Sequence, residues 1–201
     1  MGLFNNYKSD EVETPKNEIV GTESRFILNN PVTLVLNDAG LLLMDEIFDI
    51  KDVNNIEYFK CKANGMNKSN KKYLYDIFEK PLLNIEQKFF SLKWKINIYV
   101  GDKQEKVLAT LTKKNLIDSK DIIIEFFNQA TDKKEKLELK CDYFSHSCGI
   151  FYGEEKGAPM ICRIIRKKEV NCTNFYYVKI ASGVDIALIV AIFLCFGRIP
   201  K

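Results

Sequence analysis

The chain has 201 residues, of which 46% are hydrophobic and 28% are charged. This composition suits one folded domain with a sizeable core and excludes an intrinsically disordered chain. The net charge of +3 is unevenly distributed, because residues 1–59 hold four basic and eleven acidic side chains while residues 60–201 are strongly basic. A basic body suits an anionic partner, but solvated lysines on exposed strand faces would give the same pattern.

The N-terminal region and the cysteines indicate where the protein is expected to act. Residues 1–24 are polar and acidic and lack the apolar stretch of a secretory signal, so we expect a flexible tail ahead of one domain at 25–201. A cytoplasmic protein is then expected, with its six cysteines present as reduced, buried thiols. His146 is the single histidine and the cysteines are not paired in spacing, so neither a metal site nor a cofactor is predicted.

From Phe26 onward the pattern is that of an all-β domain. Short runs of β-branched and aromatic residues alternate with turn-forming clusters, and the period in residues 94–100 is two. That run forms a hairpin with 106–112 across Gly101-Asp102. The remaining predicted strands follow in chain order: 47–52 and 56–63, 72–78 and 82–88, 121–127 and 136–144, 147–153 and 159–167, then 174–181. The first two of these hairpins resemble one unit used twice, with Phe48-Asp49-Ile50 echoing Tyr75-Asp76-Ile77.

The longest apolar run of the chain, residues 186–196, predicts a buried helix. A membrane-spanning helix needs about 20 apolar residues, and this run has eleven. Ser182 and Asp185 form an S-x-x-D capping pattern, which predicts a helix from about Gly183 to Phe196. A helix that is apolar all round must be enclosed, and a closed β-barrel can enclose it. The alternative is that the run anchors the protein in a membrane.

Residues 177–188, with the sequence YVKIASGVDIAL, lead into this helix. The positions that define its start are Ser182, Gly183, Val184, Asp185, Ala187 and Leu188. The segment resembles the closing V-x-V-A-P-G-V-D-x-A-L of the LURP-one-related proteins, with Ser182 in place of proline. Further segments resemble that family in the same order: 31–34, 49–55, 80–83, 91–94 and 141–152.

The resemblance covers about residues 31–197 and implies a fold. That fold is tubby-like: mainly β, with a closed antiparallel barrel of about twelve strands enclosing a central apolar C-terminal helix. It is shared with tubby domains, which resemble phosphoinositide-binding modules, and with phospholipid scramblases. The resemblance therefore implies a non-enzymatic module that binds an anionic phospholipid headgroup, such as a phosphoinositide, or a protein partner. We expect a monomer that is cytoplasmic or peripheral at the membrane and does not bind nucleic acid. The alternative function is a scramblase-like, membrane-attached protein anchored by the helix.

Two basic clusters are the candidates for an anion site. One lies in a predicted loop and the other at a predicted strand end, and their members are Lys133, Lys134 and Lys136, and Arg163, Arg166, Lys167 and Lys168. Arginine side chains can bind phosphate groups by bidentate contacts. Glu135 and Glu169 are interleaved with these residues, so a solvated charged surface is the alternative interpretation.

No catalytic residue is predicted. His146 and Cys148 suggest a Cys–His dyad, but residues two apart on a strand lie about 7 Å apart, too far for a direct hydrogen bond.

Overall fold

The computed structural model describes residue 7 and residues 11–37, 47–64, 71–87, 94–114, 121–142, 146–168 and 174–195. Within these residues, twelve strands form one closed barrel in which every neighbouring pair is antiparallel. The strands are β1 (Val32–Asn37), β2 (Ile47–Asp52), β3 (Glu57–Asn64), β4 (Lys71–Asp76), β5 (Pro81–Gln87), β6 (Lys95–Val100), β7 (Val107–Lys113), β8 (Ile122–Asn128), β9 (Lys133–Asp142), β10 (Ser147–Tyr152), β11 (Met160–Lys168) and β12 (Asn174–Ile180). A short 3-10 helix spans Ser24–Phe26, and helix α1 spans Ile186–Leu194.

The helix fills the barrel, and the predicted fold class is confirmed. All nine residues of α1 are buried and belong to one hydrophobic cluster with the inward-facing residues of the strands. Strand alternation supplies these residues, as in β9, where Leu137 and Leu139 are fully buried. Each buried Leu, Ile or Phe side chain contributes about 1.5–3 kcal/mol of transfer free energy. In the described part of the chain, no helix is both long enough and apolar enough to cross a membrane.

Helix α1 is shorter than predicted because its cap is Asp185 rather than Ser182. The Asp185 carboxylate accepts hydrogen bonds from the N–H groups of Ala187 and Leu188, at 2.9 and 3.0 Å. Ser182 lies outside the helix, and its hydroxyl contacts the hydroxyl of Thr14 at 2.6 Å. Gly183 has a φ of 74°, a left-handed conformation that favours glycine and keeps it out of the helix. The predicted end at Phe196 lies outside the described residues.

Residues 11–22, here the N-terminal segment, are packed against the barrel, so the expected flexible tail is not observed for this part of residues 1–24. Ile19 is fully buried and forms a parallel bridge with Val184. Asp185 caps the helix through its Oδ1, and its Oδ2 accepts hydrogen bonds from the N–H groups of Gly21 and Thr22 and from the Thr22 hydroxyl. The Asp185 side chain therefore holds the start of the helix and the N-terminal segment together. Burial raises its pKa, and the hydrogen bonds from Thr22 and Gly21 oppose that increase.

The prediction that all six cysteines are reduced thiols is wrong for two of them. Cys141 and Cys148, which are opposite each other on β9 and β10, form a disulfide. Cys61, Cys162 and Cys195 are buried thiols outside this disulfide, as predicted, and Cys172 lies outside the described residues. Burial strongly raises the pKa of the Cys162 thiol, which keeps it protonated and unreactive.

Candidate functional site

The two ends of the barrel differ in charge. We call the end at which α1 finishes the basic end, and the end at which it starts the acidic end. Of the three residues of each strand nearest the basic end, three are acidic and nine are basic: Lys62, Lys71, Lys72, Lys95, Lys113, Lys140, Arg166, Lys167 and Lys168. The corresponding residues at the acidic end comprise four of each sign. The N-terminal segment and residues 23–31, which also lie there, add four acidic and two basic side chains.

Helix α1 fixes which end is which. Lys72, near the start of β4, is buried and its Nζ donates a hydrogen bond to the carbonyl oxygen of Leu194 at 3.1 Å. A cation at this position also complements the negative end of the helix dipole. At the other end, Asp185 complements the positive end of the dipole. At each end, the charge of the barrel wall is therefore opposite in sign to the nearer end of the helix dipole.

The second predicted cluster lies mostly at the basic end. Lys167 and Lys168 are exposed, and neither takes part in an ion pair with the described residues. The Arg166 guanidinium lies over the ring of Tyr176, with its Cζ 5.8 Å from the ring centroid. Arg163 differs from the other three because its side chain is largely buried, in the middle of β11, and lies 4.0 Å from Glu11. Three of the four predicted residues thus lie together at one end.

The first predicted cluster lies at the opposite end and in a strand, not in a loop. Lys133, Lys134 and Lys136 belong to β9, because this strand begins at Lys133 and the connection from β8 is shorter than the sequence analysis predicted. Lys136 forms ion pairs with Glu125 and Glu154, whereas Lys133 and Lys134 are exposed. The clusters are separated by the length of β10. At one end of β10, the N–H of Gly153 donates to the carbonyl of Lys136 in the first cluster; at the other end, the N–H of Arg166 in the second cluster donates to the carbonyl of His146. The seven residue steps of strand from 146 to 153 span about 24 Å. The two clusters do not form one site.

Beside the basic end, the barrel wall has a seam between β1 and β2. These strands share only two residue pairs among the described residues, whereas the other neighbouring pairs share four to seven. A cavity of about 530 Å³, here the seam groove, opens on the outer face along this seam. Its lining extends from Asn37 to the turn after β2, and it comprises the aromatic rings of Phe48, Phe175 and Tyr177, the polar side chains of Asn37, Lys51 and Asn55, the carboxylates of Asp49 and Asp52, and the apolar Val35 and Val53.

The seam groove adjoins the second basic cluster. The Lys167 Nζ lies 4.7 Å from the ring centroid of Tyr177, and Lys167 is opposite Phe175 in the register of β11 and β12. Lys51, inside the groove, lies 3.3 Å from Asp49 and is about one-third exposed. Aromatic faces beside cations and amides can hold a ring that carries hydroxyl and phosphate groups. The groove and the basic end together form the candidate site.

Two carboxylates moderate the charge of the basic end. Glu138 is fully buried on the outer face of β9 and forms ion pairs with Lys114 and Lys140. Asp121 lies nearby, and burial raises its pKa, with the negative charge of Glu138 raising it further. The ion pair with Glu138 raises the pKa of Lys114, so this lysine stays charged.

Sequence reasoning missed most of the basic end. Lys62, Lys71, Lys95, Lys113 and Lys140 lie on separate strands and look like isolated surface lysines in the sequence. The available signal was their position, because all but Lys140 lie near a strand end that precedes or follows a connection of at least six residues. Barrel closure brings them to one end.

In the structure, His146 and Cys148 make contacts other than the suggested dyad. The Cys148 sulfur is bonded to Cys141, and the His146 carbonyl accepts a hydrogen bond from the N–H of Arg166. His146 has a φ of 53° and is exposed at the start of β10. The absence of a catalytic site stays a prediction.

A closed barrel of twelve strands wound round a buried apolar helix defines the chain as a barrel-and-central-helix domain. A family model described as LURP-one-related matches residues 32–197. The chain belongs to the LURP-one-related family. The resemblance identified from the sequence is thereby confirmed, and the tubby-like architecture implied by it is compatible with the observed barrel.

Individual proteins agree with this assignment. The chain is 25% identical over 181 residues to protein LURP-one-related 10 of Arabidopsis thaliana, covering 85% of this chain and 91% of that protein. It is 22% identical to protein LURP-one-related 15 of the same plant, covering 94% and 89% of the two. The X-ray structure of an Arabidopsis thaliana protein matches with a TM-score of 0.66 at 17% identity, covering 90% of this chain and 99% of that one. At this identity the structural match shows the fold alone.

Proposed function

We propose that this LURP-one-related domain is a non-enzymatic, peripheral lipid-binding module whose basic end binds the headgroups of anionic phospholipids, phosphoinositides in particular. The observation that carries the proposal is the difference between the two ends, with nine basic and three acidic residues at the strand ends where α1 finishes, of which Lys72 is buried and the other eight basic residues reach the surface. A negatively charged leaflet attracts such a surface by about 1 kcal/mol for each lysine or arginine near it. The acidic end would face away from the bilayer.

The seam groove supports selection among anionic lipids. The groove lies beside Lys167 and has an aromatic and amide lining, so it is better suited to bind a polar ring than to bind a flat anionic surface. Lys51 lines the groove and Lys167 lies against the Tyr177 ring of its lining, and both are outside the first predicted cluster. The proposal therefore places the lipid site at the second predicted cluster and the groove, and leaves Lys133, Lys134 and Lys136 outside it.

The alternative function, a membrane protein anchored by the C-terminal helix, is not favoured by the packing of α1. All nine residues of this helix are enclosed by the barrel, so the helix would have to leave the core to enter a bilayer. Emptying the core would expose the inward faces of the strands. The location consistent with the proposal is the cytoplasm, where the protein would bind the surface of membranes.

A co-sedimentation assay tests the proposal with a matched pair of variants. Vesicles of phosphatidylcholine alone are compared with vesicles that also contain phosphatidylserine or a phosphoinositide. The double variant Lys167→Gln/Lys168→Gln removes two charges from the basic end, and Lys133→Gln/Lys134→Gln removes two exposed charges from the acidic end. We expect the first variant to weaken binding to anionic vesicles about 30-fold and the second to change it little.

Three results would count against the proposal. They are no binding to any anionic vesicle, equal weakening by both double variants, and weakening by the Lys133 and Lys134 variant alone. The first leaves protein binding as the function, the second indicates an unspecific effect of net charge, and the third moves the site to the other end. A stronger response to phosphoinositide than to phosphatidylserine at equal charge would support a role for the groove.

A further inference from the structure

Exposed apolar side chains cluster at the acidic end. Large hydrophobic residues scattered singly on a surface are ordinary, whereas a contiguous group marks an interaction surface. The described part of the chain exposes eight such residues, and six of them lie on the turns, or at the strand ends that flank the turns, of three neighbouring hairpins: Val53, Ile56, Ile77, Phe78, Val100 and Val107. The first four, on the turns that follow β2 and β4, are here called the apolar turn patch. The hairpins adjoin because β3 pairs with β4.

Phe78 protrudes from this patch in a fixed position. Its side chain is 80% exposed, at the tip of the turn between β4 and β5. The buried Asp76 carboxylate accepts hydrogen bonds from the N–H groups of Phe78 and Lys80, at 3.0 and 2.9 Å. Arg25 donates to the second oxygen of the same carboxylate at 2.9 Å. An aromatic ring held out by a hydrogen-bonded turn is a pre-organised anchor, because little conformational entropy is lost when it is buried.

A cavity of about 200 Å³ lies directly beside the protruding ring. Its lining includes the apolar and aromatic Phe26, Leu28, Tyr58 and Phe78 and the charged Arg25, Glu57 and Asp76. A cavity of about 150 Å³ is large enough to hold benzene, so the volume of this one suits a phenyl ring. The surface therefore carries a projecting aromatic side chain and, next to it, an opening of suitable size.

Charges of both signs surround the patch in equal number. Lys60 lies 3.3 Å from Glu79 and 4.0 Å from Glu57, and Lys80 lies 3.6 Å from Glu23. Arg25 contacts Glu23 at 2.8 Å. The rim thus has three basic and three acidic side chains. A rim of this kind is not repelled by a second copy of itself, and it can exchange ion pairs across a two-fold axis.

From these features we infer that the apolar turn patch is the interface of a symmetric homodimer, in which Phe78 of each chain enters the cavity beside Phe78 of its partner. Two-fold interfaces need one surface that carries both halves of the contact, and this patch has a projection, an opening and balanced charge. The inference goes beyond the lipid-binding function and departs from the expected monomer. A membrane is a poorer occupant, because the N-terminal segment and residues 23–31 make this end acidic.

Sedimentation equilibrium tests the dimer, with Phe78→Glu as the disrupting variant. Phe127→Glu is the matched control, because Phe127 is 46% exposed on β8, away from the patch, and the change in charge is the same. We expect a concentration-dependent dimer for the unmodified chain and the control. Phe78→Glu should weaken it by at least about 30-fold, as expected for a central anchor. Phe78→Arg should weaken the dimer as much as Phe78→Glu does, which would show that the loss of the ring, and not the sign of the added charge, is responsible.

The inference is overturned if the unmodified chain sediments as a monomer up to its solubility limit, which would leave the patch to a different protein. It is also overturned if the dimer survives both Phe78 substitutions, or if Phe127→Glu disrupts it equally. Binding of anionic vesicles by Phe78→Glu is measured in parallel. Val53 of the patch also lines the seam groove, but Phe78 does not, and the basic end lies at the other end of the barrel. Vesicle binding by Phe78→Glu is therefore expected to persist, so failure of one proposal is distinguishable from failure of the other.

Discussion

At the scale of single residues, two buried aspartates organise the turns of the acidic end. Asp52 accepts hydrogen bonds from the N–H groups of Asn54 and Ile56, as Asp76 does from the turn that follows it. The third turn residue is left-handed in both, with φ of 65° at Asn55 and 61° at Glu79. The two hairpins are thus one unit used twice, but Asp76 corresponds to Asp52. The predicted echo, which paired Asp76 with Asp49, is wrong by three residues.

The pH dependence of stability should reveal the role of Asp76. Burial raises the pKa of this carboxyl, but hydrogen bonds from Lys80, Arg25 and Phe78 outweigh that effect and hold the pKa below 3.8. The unfolded chain then binds the proton more readily, so the contribution of Asp76 is complete above pH 3.8 and is lost as the pH falls through the folded pKa. We expect Asp76→Asn to lower the free energy of unfolding by about 1–2 kcal/mol at neutral pH, measured by urea denaturation.

The same experiment at low pH provides the check. The amide that replaces the carboxyl in Asp76→Asn cannot titrate, so the difference between the two chains should narrow as the pH falls below 3.8. A difference that stays constant over this range would show that the carboxylate charge is not what stabilises the turn.

At the scale of elements, the N-terminal segment acts as part of the core. It adds no strand to the barrel, yet it closes the acidic end by its contacts with the residues before α1. Backbone hydrogen bonds join the N–H of Ile19 to Gly183 and the N–H of Asp185 to Ile19, both at 2.9 Å. On the other side, the Asn128 side chain accepts from the N–H of Val20 and donates to the carbonyl of Glu18. Removing the segment would uncover the end of the core.

Substitution of Ile19 measures this contribution. Ile19→Ala leaves a cavity in a fully buried site and is expected to lower the free energy of unfolding by about 2–4 kcal/mol. Lys16→Ala, an exposed position in the same segment, is the control and should have little effect. Equal unfolding midpoints for the two variants in urea would mean that the segment does not stabilise the barrel.

Local patterns predicted the hairpins, but long-range contacts could not be predicted. Alternation and turn residues such as Gly101-Asp102 lie within a few positions of each other, so the sequence displays them. By contrast, Thr22 and Asp185 are 163 positions apart, and no pattern indicates that a hydroxyl there contacts a carboxylate. The disulfide between Cys141 and Cys148 depends on the register of β9 and β10, which the alternation alone does not determine. The basic end has the same origin, because it exists only after the barrel closes.

At the scale of the whole molecule, charge is arranged along one axis. The start of α1 meets the carboxylate of Asp185, and its end meets the ammonium group of Lys72. The strand ends and the N-terminal segment extend the same polarity to the surface. A molecule polarised in this way will orient in the field of a charged surface before contact, which accelerates association at low ionic strength.

Salt should therefore release the protein from anionic vesicles. Charges at the basic end act through solvent, where the Debye length falls to about 3 Å at roughly 1 M salt. We expect bound protein to appear in the supernatant after a high-salt wash, and equally after an alkaline carbonate wash. Protein that stays with the membrane through both washes would indicate that α1 has left the barrel and inserted as an anchor.

The position of α1 in the chain has a consequence for biosynthesis. It follows all twelve strands in the sequence, so the barrel wall emerges from the ribosome before the segment on which every inward side chain packs. Its contacts with the N-terminal segment join residues more than 160 positions apart, and such high contact order slows folding. Until α1 is synthesised, a dozen half-apolar strands have no interior. The nascent chain is therefore exposed to aggregation for almost the whole of translation, and a chaperone that shields β-strands would act on it during that interval.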